Sequence, residues 1–114
     1  MKLEMIALIK ILNFYKKYLL TFKITVKGQC MHPLIKDGDI VNVIQCDDYN
    51  INDIIVFKNC NNGLYIHRIF SVFEKNGIQF FTTKADNNVN IDGDQLTKDD
   101  IFGKVNLINE KQFT

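Results

Sequence analysis

The chain has 114 residues, of which 46% are hydrophobic and 24% charged, and its net charge is +1 at neutral pH. This length and composition are typical of one globular domain, without room for a second. The small net charge argues against a dedicated nucleic-acid-binding protein, which normally carries a strong basic excess. Ser71 is the only serine, so a serine hydrolase would have to use it as its nucleophile.

The first predicted element is a helix over residues 3–22, broadly apolar with a polar stripe at Lys10, Asn13 and Lys17. Residues 1–27 hold six lysines and one glutamate, a net charge of +5, whereas the rest of the chain carries −4. Such a segment forms either a solvated helix face or a contact with anionic lipid or an acidic partner. Charged residues interrupt its apolar run, so we expect no membrane span and a cytoplasmic protein that is at most peripheral at the membrane.

After the helix the pattern changes to short runs rich in β-branched and aromatic residues, separated by turn-forming clusters. The runs are FKITVKG, DIVNVI, DIIVF, LYIHRIFSVF, IQFFTT and IFGKVNLI. They predict a mainly β domain of five to seven strands, either coiled antiparallel sheets or a small barrel. The predicted organisation is therefore an amphipathic helix over residues 1–23 and a β domain over residues 24–114.

The three cysteines, Cys30, Cys46 and Cys60, are odd in number and form no CxxC pair. This count argues against both a disulfide framework and a zinc site. At least one thiol is free unless two chains pair, which fits a reducing compartment. We expect neither a metal nor a cofactor.

Cys30 lies in the segment GQCMHP, between a glycine and the only proline of the chain. Glycine permits a sharp turn and proline stiffens it, so Cys30 is predicted to project from a fixed bend at a strand end. A cysteine nucleophile needs a base, and imidazole is the usual partner. His32 is too close along the turn for a linear contact, whereas His67 lies on a distant strand that can cross beside Cys30.

The loop KADNNVNIDGD offers Asp86, Asp92 and Asp94 to orient an imidazole, which would complete a nucleophile–base–acid relay. The same aspartates are also common turn formers. The loop lacks the spacing and bidentate glutamate of an EF-hand, which argues against calcium. On these residues alone, a buried structural cysteine and a half-buried strand histidine remain the competing interpretation.

The segment KGQCMHPLIKDGDIV resembles the nucleophile motif of the signal peptidase I / LexA-type peptidase superfamily, which runs G-x-S-M-x-P and then G-D. NDIIVF (52–57) is similar to the G-D-I-V-V-F motif of that family, and His67-Arg68 falls where one branch has His-Arg and another Lys-Arg. KADNNVNID (84–92) resembles K-G-D-N-N-x-x-x-D. The five positions that match in the first motif are Gly28, Met31, Pro33, Gly38 and Asp39.

A closing G-K-V at residues 103–105 completes five ordered motifs over residues 24–105. The resemblance implies a LexA/signal-peptidase-like fold and a peptidase in which Cys30 attacks a peptide carbonyl and His67 is the general base. Asp92, together with or in place of Asp86, would orient His67 or pair with Arg68. The resemblance also implies an extended peptide or precursor substrate bound as an added strand.

The remaining residues that the resemblance assigns fall into two groups. Residues of the nucleophile turn would contact the substrate, and residues of the neighbouring motifs would support the site. The first group is Gly28, Gln29, Met31 and Pro33, and the second is Arg68, Asp39 and Asp53.

The chain departs from the superfamily pattern at three positions, and we expect it to have no transmembrane anchor of the kind that the superfamily carries. Cys30 replaces the serine, which makes the site either a thiol variant or inactive, although a Cys–His pair is chemically competent. Asn52 and Ala85 replace glycines. Asparagine tolerates left-handed backbone geometry, so we expect Asn52 to be harmless and Ala85 to shift its loop.

Two functions follow from this pattern. The first is an endopeptidase that trims a precursor, leader or secreted peptide. The second is an inactive relative that binds an extended peptide in the same groove, with Cys30 as a vestige. A LexA-like regulator is disfavoured because no helix-turn-helix precedes the β domain.

Overall fold

The computed structural model describes residues 3–113; residues 1, 2 and 114, which the predicted domain ranges include, lie outside it. Helix α1 (Leu3–Lys17) precedes six strands, and a short 3-10 helix (Lys98–Asp100) leads into the last of them. Across the described residues, α1 is too short and insufficiently apolar to cross a bilayer. The strands are β1 (Phe22–Thr25), β2 (Ile40–Ile44), β3 (Ile54–Lys58), β4 (Leu64–Lys75), β5 (Ile78–Lys84) and β6 (Ile101–Ile108).

The six strands form one sheet in the order β1-β2-β6-β3-β4-β5, in which all neighbours are antiparallel. The predicted mainly β fold with one N-terminal helix is therefore confirmed. Of the two predicted arrangements, the barrel is wrong, because β1 and β5 are the two edges of the sheet. Each predicted run supplies one strand.

The sheet is buried on both faces, which explains the continuous apolar run in β3. Val56 faces one hydrophobic cluster, called core A, together with Leu12, Met31 and Phe102. Phe57, the next residue, faces a second cluster, core B. Successive side chains of a strand point to opposite faces, so the sheet separates the two cores.

The predicted helix over residues 3–22 is too long, and α1 ends earlier in a Schellman motif. Leu19 adopts a positive φ of 56°. Its N–H donates to the carbonyl of Lys16 at 3.2 Å, and the N–H of Leu20 donates to the carbonyl of Tyr15 at 2.8 Å. These bonds satisfy the last helical carbonyls. A leucine in place of the usual glycine hid this end from the sequence pattern.

Helix α1 packs on core A through one face and leaves another exposed. Leu12 is buried in the core, and the ammonium of Lys16 donates to the carbonyl of Lys98 at 2.7 Å. Burial lowers the pKa of Lys16. Ile11 and Phe14 of α1 and Tyr18, which follows the helix, are exposed to solvent.

Gly103 in β6 lies where the backbone of β2 comes unusually close. It has a φ of 153°. A Cβ at this position would lie 2.5 Å from Cγ1 of Val43 and 2.8 Å from the carbonyl oxygen of Ile44. Only glycine fits this position without movement of the neighbouring strand.

Candidate active site

Cys30 is exposed in the turn that follows β1. The turn begins at Gly28, which has a φ of 93° and donates its N–H to the carboxylate of Asp37 at 2.7 Å. The carbonyl of Cys30 accepts a hydrogen bond of 2.8 Å from the N–H of Asn87. This hydrogen bond joins two segments that are far apart in sequence: the cysteine turn (residues 28–33) and the aspartate-rich loop (residues 84–94).

Met31, the residue after Cys30, turns inward and is 2% exposed. Its sulfur accepts the N–H of Asp86 at 3.4 Å. This is a second link between the cysteine turn and the aspartate-rich loop. The thioether also forms part of the wall of the groove described below.

His67 lies on β4 and is held by Asp92. Its Nδ1 is 2.5 Å from Oδ2 of Asp92, and the same oxygen accepts the hydroxyl of Thr83 at 2.7 Å. The N–H of Asp92 also donates to the carbonyl of Thr83 at 2.8 Å. A proton on Nδ1 donates to the carboxylate, which leaves Nε2 as the basic nitrogen of a neutral imidazole.

The imidazole of His67 is enclosed by aromatic rings and is 7% exposed. The ring centroids of Phe57 and Tyr65 lie 5.6 Å and 5.5 Å from that of His67. Nε2 of His67 is buried and has no hydrogen-bond partner among the described residues. A buried nitrogen without a partner is costly in a folded protein and calls for an explanation, of which a catalytic role is one.

Arg68 pairs with Asp86 in a bidentate ion pair: its Nε and Nη2 each donate to a carboxylate oxygen at 2.9 Å. The hydrogen bonds that Asp86 accepts raise the pKa of the Arg68 guanidinium. The structure therefore divides the two candidate aspartates, with Asp92 on His67 and Asp86 on Arg68. Nη1 of Arg68 also donates to the carbonyl of Asn52 at 3.1 Å.

Asn52 and Ala85, which replace glycines of the superfamily pattern, differ in backbone conformation. Asn52 has a φ of 77°, so the left-handed geometry expected there is confirmed. Ala85 is buried and lies outside the left-handed region. The loop therefore turns without a positive φ at Ala85, and the expected shift of this loop stays a prediction.

Asp39 and Asp53, predicted to support the site, each stabilise a turn. Asp39 accepts the N–H of Lys36 at 2.8 Å and the side-chain amide of Asn109 at 3.0 Å. The bond from Lys36 is the main cause of the lowered pKa of Asp39. Asp53 forms an ion pair with Lys104 at 3.2 Å. Both carboxylates thus anchor loops between strands.

A groove of about 650 Å³ runs past Cys30 on the core A side of the sheet. Its walls are α1 at Leu8 and Leu12, the chain at residues 24–27 and the start of β4 at residues 64–66. Most of this lining is apolar, and we call it the apolar groove. Of the predicted substrate contacts, Met31 lines this groove.

Gly28, Gln29 and Pro33, the other predicted substrate contacts, are exposed in the cysteine turn and are not part of the groove lining. They lie next to Cys30 in the chain, at the rim rather than in the walls. Their contact with substrate stays a prediction.

The start of β4 offers an unpaired strand edge beside the groove. Leu64 to His67 pair with β3, whereas the pairing of β4 with β5 begins at Arg68. Free N–H and C=O groups on such an edge can bind an extended peptide as an added strand. An extended peptide in the groove would lie along this edge.

The structure brings His67 and Asp92 together and places Cys30 on the groove, but it does not join Cys30 to His67. Nε2 of His67 accepts no hydrogen bond from the thiol. His32 is exposed on the cysteine turn. Among the described residues, no three histidine, cysteine or acidic side chains are grouped to hold a metal.

Sequence reasoning missed two residues of this site. Thr83 is 1% exposed and binds the Asp92 carboxylate, and Tyr65 packs on His67. The only sequence signal for Thr83 is its place at an inward-facing position of the run IQFFTT. Tyr65 precedes His67 by two residues, which places both on one face of β4.

One six-stranded sheet carries the cysteine turn with the apolar groove beside it and, on the other face of β4, the aspartate-held His67. A family model described as Peptidase S24-like matches residues 7–106. The chain belongs to this family, and the resemblance to the LexA/signal peptidase superfamily is confirmed. The search of curated proteins found no match to the chain.

Proposed function

We propose that the protein is an endopeptidase of signal-peptidase type in which Cys30 is the nucleophile and His67 the general base. The observation that carries this proposal is the state of His67. Its Nδ1 is held by Asp92, and its Nε2 is buried without a partner on the strand that borders the groove. A structural histidine would normally have both nitrogens satisfied.

The substrate would lie extended in the apolar groove, hydrogen-bonded to the free edge of β4. Nε2 of His67 takes the proton of the Cys30 thiol, and the thiolate attacks the peptide carbonyl. The imidazolium then gives that proton to the departing amine. Water, activated by the same imidazole, hydrolyses the acyl-thioester and restores the thiol.

The thiol and the imidazole are not hydrogen-bonded without substrate, and the mechanism requires them to meet once a peptide is bound. Catalytic hydrogen bonds are often long or misaligned in unliganded enzymes and tighten in the substrate complex. Asp92 keeps the imidazole in the tautomer that exposes Nε2 and stabilises the imidazolium when it forms. The Arg68–Asp86 pair holds the loop that carries Asp92 in place.

The second candidate function is a non-catalytic module that binds an extended peptide in the same groove. It is favoured by the missing hydrogen bond between Cys30 and His67 and by cysteine at the position where the superfamily has serine. In this case the precursor or leader peptide would be bound and not cleaved.

The rate of Cys30 alkylation across pH 5–9 tests the proposed thiol activation. We expect Cys30 to react at pH values well below the pKa of about 8.5 of an ordinary thiol. His67→Ala should abolish this reactivity, whereas the matched variant His32→Ala should retain it. The reference for ordinary reactivity is a free cysteine derivative such as N-acetylcysteine amide, because the contact with Asp94 raises the pKa of Cys60. Ordinary thiol reactivity at Cys30, or no effect of His67→Ala, would contradict the relay.

Cleavage assays distinguish the two candidate functions. Candidate precursor peptides are offered to the wild-type protein, Cys30→Ala and Cys30→Ser, and both binding and cleavage are measured. Cleavage by the wild type and not by Cys30→Ala supports the cysteine peptidase. Cleavage by Cys30→Ser alone indicates a serine scaffold impaired by the native cysteine. Tight binding without cleavage by any variant favours the binding module.

A further inference from the structure

A second cavity of about 270 Å³ adjoins His67 and is distinct in chemistry from the apolar groove. Its lining combines two carboxylates with aromatic rings, and no lysine or arginine is part of it. We call it the acidic cavity. Its main lining residues are Phe57, Asn59, Tyr65, His67, Asp92 and Asp94.

The acidic cavity lies on the other side of strand β4 from the apolar groove. Leu64 and Ile66 pack against core A, on the groove side. Tyr65 and His67 alternate with them and therefore face the opposite side of the sheet. Phe57, the partner of Tyr65 across the β3–β4 pair, belongs to core B. Tyr65 lines both cavities, so the two spaces meet at the free edge of β4.

An extended peptide bound along that edge would present its side chains to the two cavities in alternation. Side chains of a strand point to opposite faces with a period of two residues. Residues of one parity would enter the apolar groove. A residue of the other parity would pass Tyr65 toward the acidic cavity.

The chemistry of the acidic cavity suits a cationic side chain. Asp94 uses its carboxylate to accept the N–H of Cys60 at 3.0 Å and its thiol at 3.5 Å. A carboxylate has about four acceptor sites, so Asp94 can accept further donors. The rings of Phe57 and Tyr65, with centroids 6.0 Å apart, add favourable faces for a cation.

His67 supplies a second observation that the cavity is built for a ligand. It is 7% exposed, lines the acidic cavity, and has no partner for Nε2 among the described residues. A lysine or arginine side chain that enters this cavity would meet the carboxylates of Asp92 and Asp94. An acidic side chain of the peptide, in contrast, would meet two carboxylates and be excluded by like charge.

We propose that the acidic cavity selects a lysine or arginine side chain of the bound peptide, at a position that alternates with an apolar residue in the groove. This inference rests on the proposed peptide-binding function. It assigns the substrate class as peptides that combine apolar residues with one basic residue near the reacting bond.

Binding of a peptide set to Cys30→Ala protein tests the inference without cleavage. The probes are fluorescein-labelled decapeptides of alanine and leucine, acetylated and amidated, in which each position in turn is Lys, Gln or Glu. Fluorescence polarisation at low salt gives each Kd. At one position we expect Lys to bind about fivefold more tightly than Gln, as for a partly exposed ion pair with a cation–π contact, and Glu to bind more weakly.

Asp94→Asn in the same protein should remove the preference for Lys, whereas Asp48→Asn, which removes a carboxylate paired with Lys98, should retain it. Circular dichroism of both variants confirms that the fold is kept. Peptide binding with equal affinity for Lys and Gln at every position, or a preference that survives Asp94→Asn, would overturn the inference and leave the proposed function standing. Absence of binding by every peptide would overturn the peptide groove itself and the inference with it.

Discussion

Asp92→Asn is the substitution that most directly separates a relay from a structural histidine. The amide has nearly the same size as the carboxylate and can keep its oxygen near Nδ1 of His67 and the hydroxyl of Thr83. What the substitution removes is the negative charge that favours the imidazolium. A catalytic base depends on this charge, whereas a histidine that only fills space does not.

The contacts of Asp92 set the size of the expected effect. Its Oδ2 accepts two side-chain hydrogen bonds, from His67 and Thr83, and its side chain is 25% exposed. A charge-assisted hydrogen bond contributes about 1.5–3 kcal/mol and a neutral one about 0.5–1.5 kcal/mol. The difference of about 1–2 kcal/mol corresponds to a roughly tenfold smaller population of the thiolate–imidazolium pair.

The assay is the second-order rate of Cys30 alkylation near pH 6.5, measured by mass spectrometry of the labelled cysteine peptide. We expect Asp92→Asn to lower this rate about tenfold. Asp48→Asn is the matched control, because its carboxylate contacts Lys98 on the surface, and it should react at the wild-type rate. Thermal unfolding of each variant verifies that the fold is intact.

Two results would refute this reasoning. If folded Asp92→Asn alkylates Cys30 at the wild-type rate, the carboxylate does not act through His67 on the thiol. If the rate falls equally in Asp48→Asn, the effect reports the net charge of the protein and not the contact with His67.

Three further predictions concern other parts of the molecule. In urea unfolding, Gly103→Ala should destabilise the protein by about 2–3 kcal/mol, because the added Cβ would clash with β2. A Cβ added at Gly93 has open space, so the control Gly93→Ala should change stability little. Equal effects of the two substitutions would be inconsistent with the close approach of β2 to Gly103. The hydrogen bond that the Cys60 thiol donates to Asp94 raises the pKa of this thiol, so less thiolate is present at pH 8. Asp94→Asn should therefore speed Cys60 alkylation, and an unchanged rate would count against that contact. We also propose that residues 1–27, with their net charge of +5 and the exposed apolar residues of α1, bind anionic lipid. More protein should sediment with anionic liposomes than with neutral ones, and the sedimented fraction should fall in high salt. Equal recovery of the protein with both kinds of liposome would contradict this proposal.

The periodicity of the chain was enough to predict the strands. Alternating apolar residues place each run with one face or both in a core, and the six predicted runs each became a strand. The end of α1 was not predictable in the same way. Leu19 takes the left-handed position that sequence reasoning assigns to glycine, and the chain turns there before Phe22 packs in core A.

Sequence motifs alone also identified Cys30, His67 and the aspartate-rich loop. Turn-forming residues and one of only two histidines fall within the motifs of the family pattern. They could not decide which aspartate serves which partner. That choice follows from the sheet register: Arg68 lies opposite Lys84 at the end of β5, which puts the guanidinium beside Asp86, while Asp92 folds back onto Thr83.

The tertiary structure alone decided how the site is divided between two cavities. Residues 64–67 alternate between the faces of one strand, so the apolar groove and the acidic cavity are built from neighbours in sequence that point apart. Each of their walls also includes residues from distant segments, such as Leu12 in α1 and Asp94 in the loop before β6. Local sequence encodes the alternation of a strand, but what each face meets is determined by packing over long range.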